Sequence, residues 1–560
     1  MLFKINKMKI KSVLFLFLFT VTFLIDTHAQ TGNFPFEIVL KADSIAGFNG
    51  LHSFAYGQRE GKVLLIGGRP DGIHARQPFN AFPASQNNQI LQVLDLATQQ
   101  YWSRSLSELT VSLQEQLQST NMNFFQDGNY LIITGGYAYS NAANDHITFP
   151  YLTRIDLDGL INAIINNQAL SAFFEQIQDE RFAVTGGNIG KIGSQYYLVG
   201  GHRFDGRYNP MNNPTFVQAY VDGLKKFELS APGQGLAVLN YQLVTDQVNL
   251  HRRDYNLVPH VYPNGETGYL ISSGVFQINA DLPFLYPVEI KSSGHTAVNG
   301  FSQYLSNYHS SKFSAYDSAS GTMHHLFLGG LSQYYYQNGT LINDQNVPFV
   351  RTMSRLAQGP DGVYQEYVLG TQMPALLGTG AEFIHFEQVP QYASDIIDLA
   401  ALSGDSILIG HVVGGIKSPI LNPFTNNNTG VTDANAVIYQ VWLKRTNVGA
   451  IEVQAPQHVF NVNLYPNPAK EVAYLEFELI QKANVECFIT DANGKLVHEV
   501  YYEKIKNTKK TLDLKALGLQ PGNYTVQLIF NDQQVLTKQL NIQWKNSGKN
   551  IPYDVKNPEL

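Results

Sequence analysis

The sequence predicts an all-β protein in two parts: a ring of repeated four-stranded sheets over residues 30–447 and a small sandwich over 461–542. Three observations carry this. Strand-like apolar runs end again and again in paired or near-paired glycines. Downstream of about residue 460 the pattern changes to seven short runs separated by turn signals. The composition, with 33 Phe and 31 Tyr against 3 Trp and 7 Met, suits a pleated surface, on which aromatic residues pack well. Hydrophobic residues make up 44% and charged residues 15%, enough for a proper core.

The first element is a leader. Lys4, Lys7, Lys9 and Lys11 precede the apolar run from Val13 to Ile25, and small residues follow at Thr27 and Ala29. That order matches a secretory signal peptide over residues 1–29, cut after Ala29. The run is short for a bilayer span, which needs roughly 20 apolar residues. No transmembrane segment is expected once the leader is removed.

The repeat then begins. Its glycine-ended runs are KVLLIGG (62–68), YLIITGG (130–136), YYLVGG (196–201), YLISSG (269–274), HLFLGG (325–330) and ILIGHVVGG (407–415). An apolar run and a turn lie upstream of each, so each pair of runs reads as a hairpin ending where only glycine tolerates the backbone. The fourth has lost its second glycine. A third run often follows and ends at an aspartate turn, as in QILQVLDLATQQYW (89–102) and YLTRIDLDG (151–159). With an outer strand this makes a four-stranded unit. One such unit cannot bury both faces, whereas units set around an axis can.

These features resemble the kelch family of β-propellers, through the glycine pairs and the aspartate-then-tryptophan spacing of LDLATQQYW. Six blades are expected, seven if the interval 331–406 hides another. FEIVLKA (36–42) has no hairpin partner, so it is expected to supply the outer strand of the last blade beside AVIYQVWLKR (436–445). Helical spacing in 107–118 and 160–177 predicts helical insertions. The competing architecture is a stack of β-sandwiches, which the regular glycine pairs disfavour.

After a linker at 448–460, runs at 461–465, 472–479, 484–490, 495–502, 510–514, 523–530 and 534–541 predict a small immunoglobulin-like antiparallel sandwich. Within it stand Leu464-Tyr465-Pro466-Asn467-Pro468, Asp491-Ala492-Asn493-Gly494-Lys495 and Leu519-Gln520-Pro521-Gly522-Asn523-Tyr524. Each is ordinary turn chemistry. Together and in this order they are similar to the type A C-terminal sorting domain of the type IX secretion system. The resemblance implies a route and a partner. The outer-membrane machinery of a Gram-negative bacterium reads the domain, which is usually cut off in the linker, and the cargo is released or held on the cell surface. Residues 543–560 form a tail beyond the last strand. Removing the sandwich is expected to leave the stability of the ring almost unchanged.

Chemistry is sparse. The net charge of −7 offers no basic footprint for nucleic acid. The single cysteine, Cys487, alternates with Val485 and Ile489 and reads as a buried core residue. Gly404-Asp405-Ser406 resembles a hydrolase motif but sits in the register of a hairpin turn. His324 and His325, neighbours on a strand, point to opposite faces and do not share an ion easily. The glycines of TGGNIGKIG (185–193) precede a strand rather than open a helix, so phosphate binding is unsupported. A copper site built on a cysteine–tyrosine bond within the propeller is excluded by the position of Cys487. No catalytic residue, metal site or cofactor is therefore assigned.

The remaining candidates follow the glycine pairs: Arg69 and Asp71 in GGRPDG, and His202, Arg203, Asp205 and Arg207 in GGHRFDGR. Gathered at one mouth of the channel, with free guanidinium groups, they would bind a polar ligand. The plainer account is that Asp-Gly pairs make turns and the arginines are solvated. Two functions stay open: a secreted or surface-displayed module that binds a glycan or protein, and a secreted carbohydrate-active enzyme of lyase or epimerase type.

Overall fold

The structure is a computed structural model that describes residues 34–210, 215–446, 452–454, 460–479, 482–532 and 534–543. The expected signal peptide and the tail beyond 543 lie outside the described residues. Among the described residues, the chain up to 446 builds six antiparallel sheets with four principal strands each. The first is Ala55–Arg59, Lys62–Ile66, Ile90–Asp95 and Gln100–Ser105, and the second is Asn123–Asp127, Tyr130–Thr134, Tyr151–Asp156 and Phe174–Gln178. The third comprises Asn188–Ile192, Gln195–Val199, Gly223–Leu229 and Val238–Thr245; the fourth, Asn256–Val261, Thr267–Ser272, Val288–Lys291 and Gly294–Ala297. Ser311–Asp317, Thr322–Leu328, Thr352–Gln358 and Tyr364–Gln372 form the fifth. Leu376–His385, Ser406–Ser418, Ile438–Arg445 and Phe36–Asp43 form the sixth.

The glycine-ended runs are apolar throughout because each is buried on both faces. Along Lys62–Ile66, Leu64 and Ile66 join Leu131, Ile133 and Ile155 of the second sheet, while Val63 and Leu65 join Ile384, Val413 and Ile438 of the sixth. The same division recurs. Ile132 and Leu152 meet Ile189 and Leu198 of the third sheet, and Tyr197 and Val199 meet Leu257 and Ile271 of the fourth. Val258 and Leu270 meet Phe327 and Leu356 of the fifth, and Phe313 and Leu326 meet Phe383 and Val412 of the sixth. Each sheet thus shares a core with the one before it and the one after, and the sixth shares one with the first.

A head-to-tail series of backbone hydrogen bonds follows the same circuit. Gly380 N–H donates to His309 C=O, Ser53 to Gly380, Asn121 to Ser53, Gly186 to Asn121 and Asp254 to Gly186, at 2.7 to 3.2 Å. All six residues have positive φ. They occupy equivalent places, just before or within the first strand of successive sheets.

Phe36–Asp43 pairs along its whole length with Ile438–Arg445, Ile38 opposite Leu443, as the unpartnered run 36–42 predicts. The interval 331–406 holds no further sheet of the repeat. It supplies the second half of the fifth sheet, the first strand of the sixth and two short hairpins. The fourth sheet has lost the first glycine of its pair rather than the second, since Ser273 stands at φ 60° before Gly274. Helices form at Val111–Leu117 and Leu157–Ile165, but the helical spacing over 160–177 overruns: Phe174–Gln178 is the outer strand of the second sheet. Its pairing with Tyr151–Asp156 prevails over local periodicity.

The expected linker is partly a strand. Glu452–Gln454 adds to the edge of Tyr364–Gln372. All seven C-terminal runs are strands, in sheets of three (Phe460–Tyr465, Val472–Leu479, Thr508–Asp513) and four (Ala483–Thr490, Leu496–Ile505, Gly522–Phe530, Gln534–Ile542). Their facing sides bury Val462, Leu475, Phe477, Val485, Cys487, Ile489, Val526 and Leu528. Burial pushes the Cys487 thiol up to about 12, as befits an inert core residue.

The three motifs are local devices. Between its two prolines, Asn467 donates to Gln539 C=O and accepts from Asn541 N–H, tying the first strand's exit to the last strand. Asp491 accepts from Asn493 and Lys495 N–H, closing the turn. The Tyr524 hydroxyl donates to Gln520 C=O and accepts from Gln520 N–H.

Candidate binding site at the glycine-pair end

The residue after each glycine pair bridges to the residue just before the same sheet's first strand. The bridges are His52 with Arg69, Thr120 with Tyr137, Thr185 with His202, Arg253 with Val275 and Tyr308 with Leu331. In five of the six sheets both positions of the pair before the bridge are glycine, and the close approach of a neighbouring carbonyl explains it. A Cβ on Gly135 would lie 1.7 Å from Val184 O, and φ is +66°. Five sheets therefore present one side chain from each side of a bridge at the same end.

Two arginine–aspartate pairs occupy this end. Arg69, only 3% exposed, donates through Nε and Nη2 to the two Asp71 oxygens at 2.9 and 2.7 Å. His52 Nε2 lies 3.8 Å from the same carboxylate. Burial pushes the Asp71 carboxyl up, but His52 close by and the bonds from Arg69 outweigh it and hold it below its ordinary value. Arg253 pairs through Nη1 with Asp254, donates through Nε to Tyr220 Oη at 3.3 Å and lies 4.9 Å from the Phe276 ring centre. Burial alone would lower the Arg253 pKa, yet Asp254 raises it overall.

Histidines surround these pairs in neutral form. Burial, reinforced by Arg253, lowers His202 to about 3. Burial takes His74 to about 4 and also lowers His309, with Asp254 pulling the other way in both. The cluster therefore holds two cations and two anions, already matched.

Aromatic side chains from the insertions cover it. His74 packs against Phe82, Tyr208 and Phe424 at 4.8, 4.6 and 5.3 Å, which joins the insertions of the first, third and sixth sheets. Phe204 stacks on Phe216 at 4.5 Å and meets Tyr137 edge-on. His74, Phe82, Tyr208, Phe216 and Phe424 are all half-buried.

Of the six residues chosen from the sequence, Arg69, Asp71 and His202 belong to this cluster. Arg203 does not. GGHRFDGR is not a loop, because His202–Arg207 is a strand paired with Thr215–Tyr220, so alternate residues point to opposite faces. His202 turns inward. Arg203, 45% exposed, is held by Glu180 at 2.7 Å and Asp205 at 2.6 Å, and Asp205 also accepts from Thr148 N–H. Arg207 lies on that same strand face, near Tyr137 and His146. The expectation of free guanidinium groups at Arg69 and Arg203 is corrected: both are ion-paired close to their own strands. Arg253, Asp254, His309 and Tyr220 were missed. For the first three the signal is register, since they precede the first strands of the fourth and fifth sheets where His52 and Ser53 precede that of the first, whereas Tyr220 ends the strand paired with His202–Arg207.

The other motifs settle as structure. His324 bonds to Arg355 and His325 to His260 and Ser314, on opposite faces of one strand. Ser406 opens a strand directly after an exposed turn. Among the described residues no group of three or more His, Cys, Asp or Glu could hold a metal ion. No described helix is long and apolar enough to cross a membrane.

Residues 463–543 match the family model of the secretion system C-terminal sorting domain. That domain directs the chain out of the cell by the type IX route, so the protein is secreted, extracellular or attached to the outer surface of a Gram-negative bacterium. A comparison with curated proteins found no match. Among solved structures the chain is similar to one described as "Structure of YjhT", at 9% identity and a TM-score of 0.40, over 73% of this chain and 99% of that one. A likeness that low carries no argument about fold or activity.

Proposed function

We propose that the six sheets are the blades of a kelch-like β-propeller carried to the cell exterior, and that its glycine-pair mouth binds a neutral saccharide. The circuit of shared cores and head-to-tail hydrogen bonds supports the propeller. In this reading a signal peptide at 1–29 is removed, the body spans 30–447, and the sorting domain at 461–542 is cut away within 448–460.

One observation carries the ligand class. Arg69 and Arg253 are each held by a neighbouring aspartate, beneath half-buried aromatic rings. A matched ion pair still offers directional donors and acceptors but attracts an anion only weakly. Hydroxyl-rich, uncharged rings lying on aromatic faces suit such a surface. This replaces the reading in which free guanidinium groups at Arg69 and Arg203 bind a polar ligand.

The test is a glycan array probed with the folded, signal-free chain at low and high salt. Neutral glycans should bind at both salts, and Arg253→Ala or Tyr208→Ala should abolish the signal. Binding confined to anionic glycans and lost at high salt would sink the neutral reading. The second reading, a lyase or epimerase, draws on Asp254 standing beside neutral His202 and His309, a set able to move protons. It gains ground only if a substrate panel shows turnover that Asp254→Asn removes.

A further inference from the structure

The four-stranded sheet of the C-terminal sandwich is apolar on both faces, and only one of them faces its own core. Along Ala483–Thr490, Val485, Cys487 and Ile489 point into the sandwich while Phe488 points out. Along Gly522–Phe530, Val526 and Leu528 point in while Ile529 points out. Phe488, Ile529 and Val535 join Val248, Leu250, Phe284 and Tyr286 beside the fourth sheet in a single cluster, with Phe488 2% exposed and Val535 fully buried. Hydrogen bonds ring this contact. Gln247 N–H donates to Gly494 C=O at 3.0 Å and Gly300 N–H to Val535 C=O at 2.8 Å. Leu496 N–H donates to the Gln247 side chain at 2.8 Å, Thr537 N–H to Asn299 at 2.9 Å, and Gln527 to Tyr286 Oη at 3.1 Å.

The 491–495 turn, one of the three sorting motifs, lies in this contact. A Cβ on Gly494 would stand 1.7 Å from Thr245 O. Gly494 is therefore covered while the sandwich is seated, and Ala492, Asn493 and Lys495 beside it stay exposed.

We propose that the loops beside the fourth sheet are a seat for the chain's own sorting domain, and that the seat holds the domain after the connecting segment is cut. The occupant is fixed by what already fills the seat: an apolar patch rimmed by matched backbone donors and acceptors, the make-up of a specific interface. Covalent attachment supplies effective concentration but makes none of these contacts.

The test uses the full signal-free chain with a protease site placed within 455–459 and cleaved after folding. The two pieces should co-elute at micromolar concentration. Amide exchange at Gln247 and Leu496 should stay slow in the cut protein. Phe488→Asp, which puts an unpaired carboxylate into the contact, should weaken retention by about 100-fold and speed exchange at both amides. Ile278, half-buried and packed against the same cluster from the body side, gives a second variant: Ile278→Asp makes the same change without altering the sandwich, so a misfolded Phe488 variant does not blur the answer. Separation of the cut wild-type pieces, or retention unchanged in the Ile278 variant, would overturn the proposal.

Discussion

The six-sheet body and the C-terminal sandwich are both antiparallel, but they are held together differently. In the sandwich, two sheets close over one core, and the Asp491 and Tyr524 side chains each bond within a few residues of themselves. In the body no sheet has a private core. Every inner strand gives one face to the sheet before and the other to the sheet after. A defect in the sandwich stays local, whereas one in the body opens two neighbours at once.

The largest test of that contrast is removal of residues 34–43. Phe34, Phe36 and Ile38 are buried in the core shared by the fifth and sixth sheets. Their loss costs roughly 5–9 kcal/mol at about 1.5–3 kcal/mol each, and it bares the edge of Ile438–Arg445. The body should unfold or aggregate as a whole by calorimetry, not lose one sheet. In the sandwich, Phe477→Ala removes a ring that is 1% exposed. It should cost about 3–5 kcal/mol and produce a separate, lower transition, leaving the body's own melt in place. A single merged transition would erase the distinction.

Acid should act on the body before the sandwich. Burial lowers His260 and His411 to about 4, and His74 likewise, whereas an unfolded histidine titrates near 6.5. Below about pH 6.5 the unfolded chain therefore takes up protons that the folded body refuses. The stability from these residues is intact above that pH and drains away as pH falls toward 4. His260 alone accounts for about 3 kcal/mol of that loss at its limit, measurable as a falling denaturant midpoint between pH 7 and 4.5. The smallest effect is expected at Arg203→Ala. Its exposed ion pairs should contribute under about 1 kcal/mol, and saccharide binding should not change.

What the sequence made legible was whatever chain sterics or local turns decide. The glycine pairs stand where another sheet's carbonyl approaches too closely for a Cβ, and the unpartnered alternation of 36–42 announced a missing edge. Asn467, Asp491 and Tyr524 bond within short reach of themselves or across one strand, so their motifs survive reading in one dimension. The binding cluster does not. Arg253 reaches His202 and His309 only through the order of the sheets. The seat beneath the sandwich was missed for another reason. Phe488 and Ile529 look like ordinary core residues, although a strand apolar on both faces already implies a second partner. The expectation that removing the sandwich leaves the ring almost unchanged was formed without sight of the cluster that the two parts share.

Ile38 pairs with Leu443, a separation of 405 residues by subtraction. At roughly 5–20 residues per second, the first strand of the body waits about 20–80 seconds for its partner to be made. Throughout that wait an apolar strand and an open edge are available to anything nearby. In a chain built this way the sixth sheet closes last, after every other strand of the body has been made.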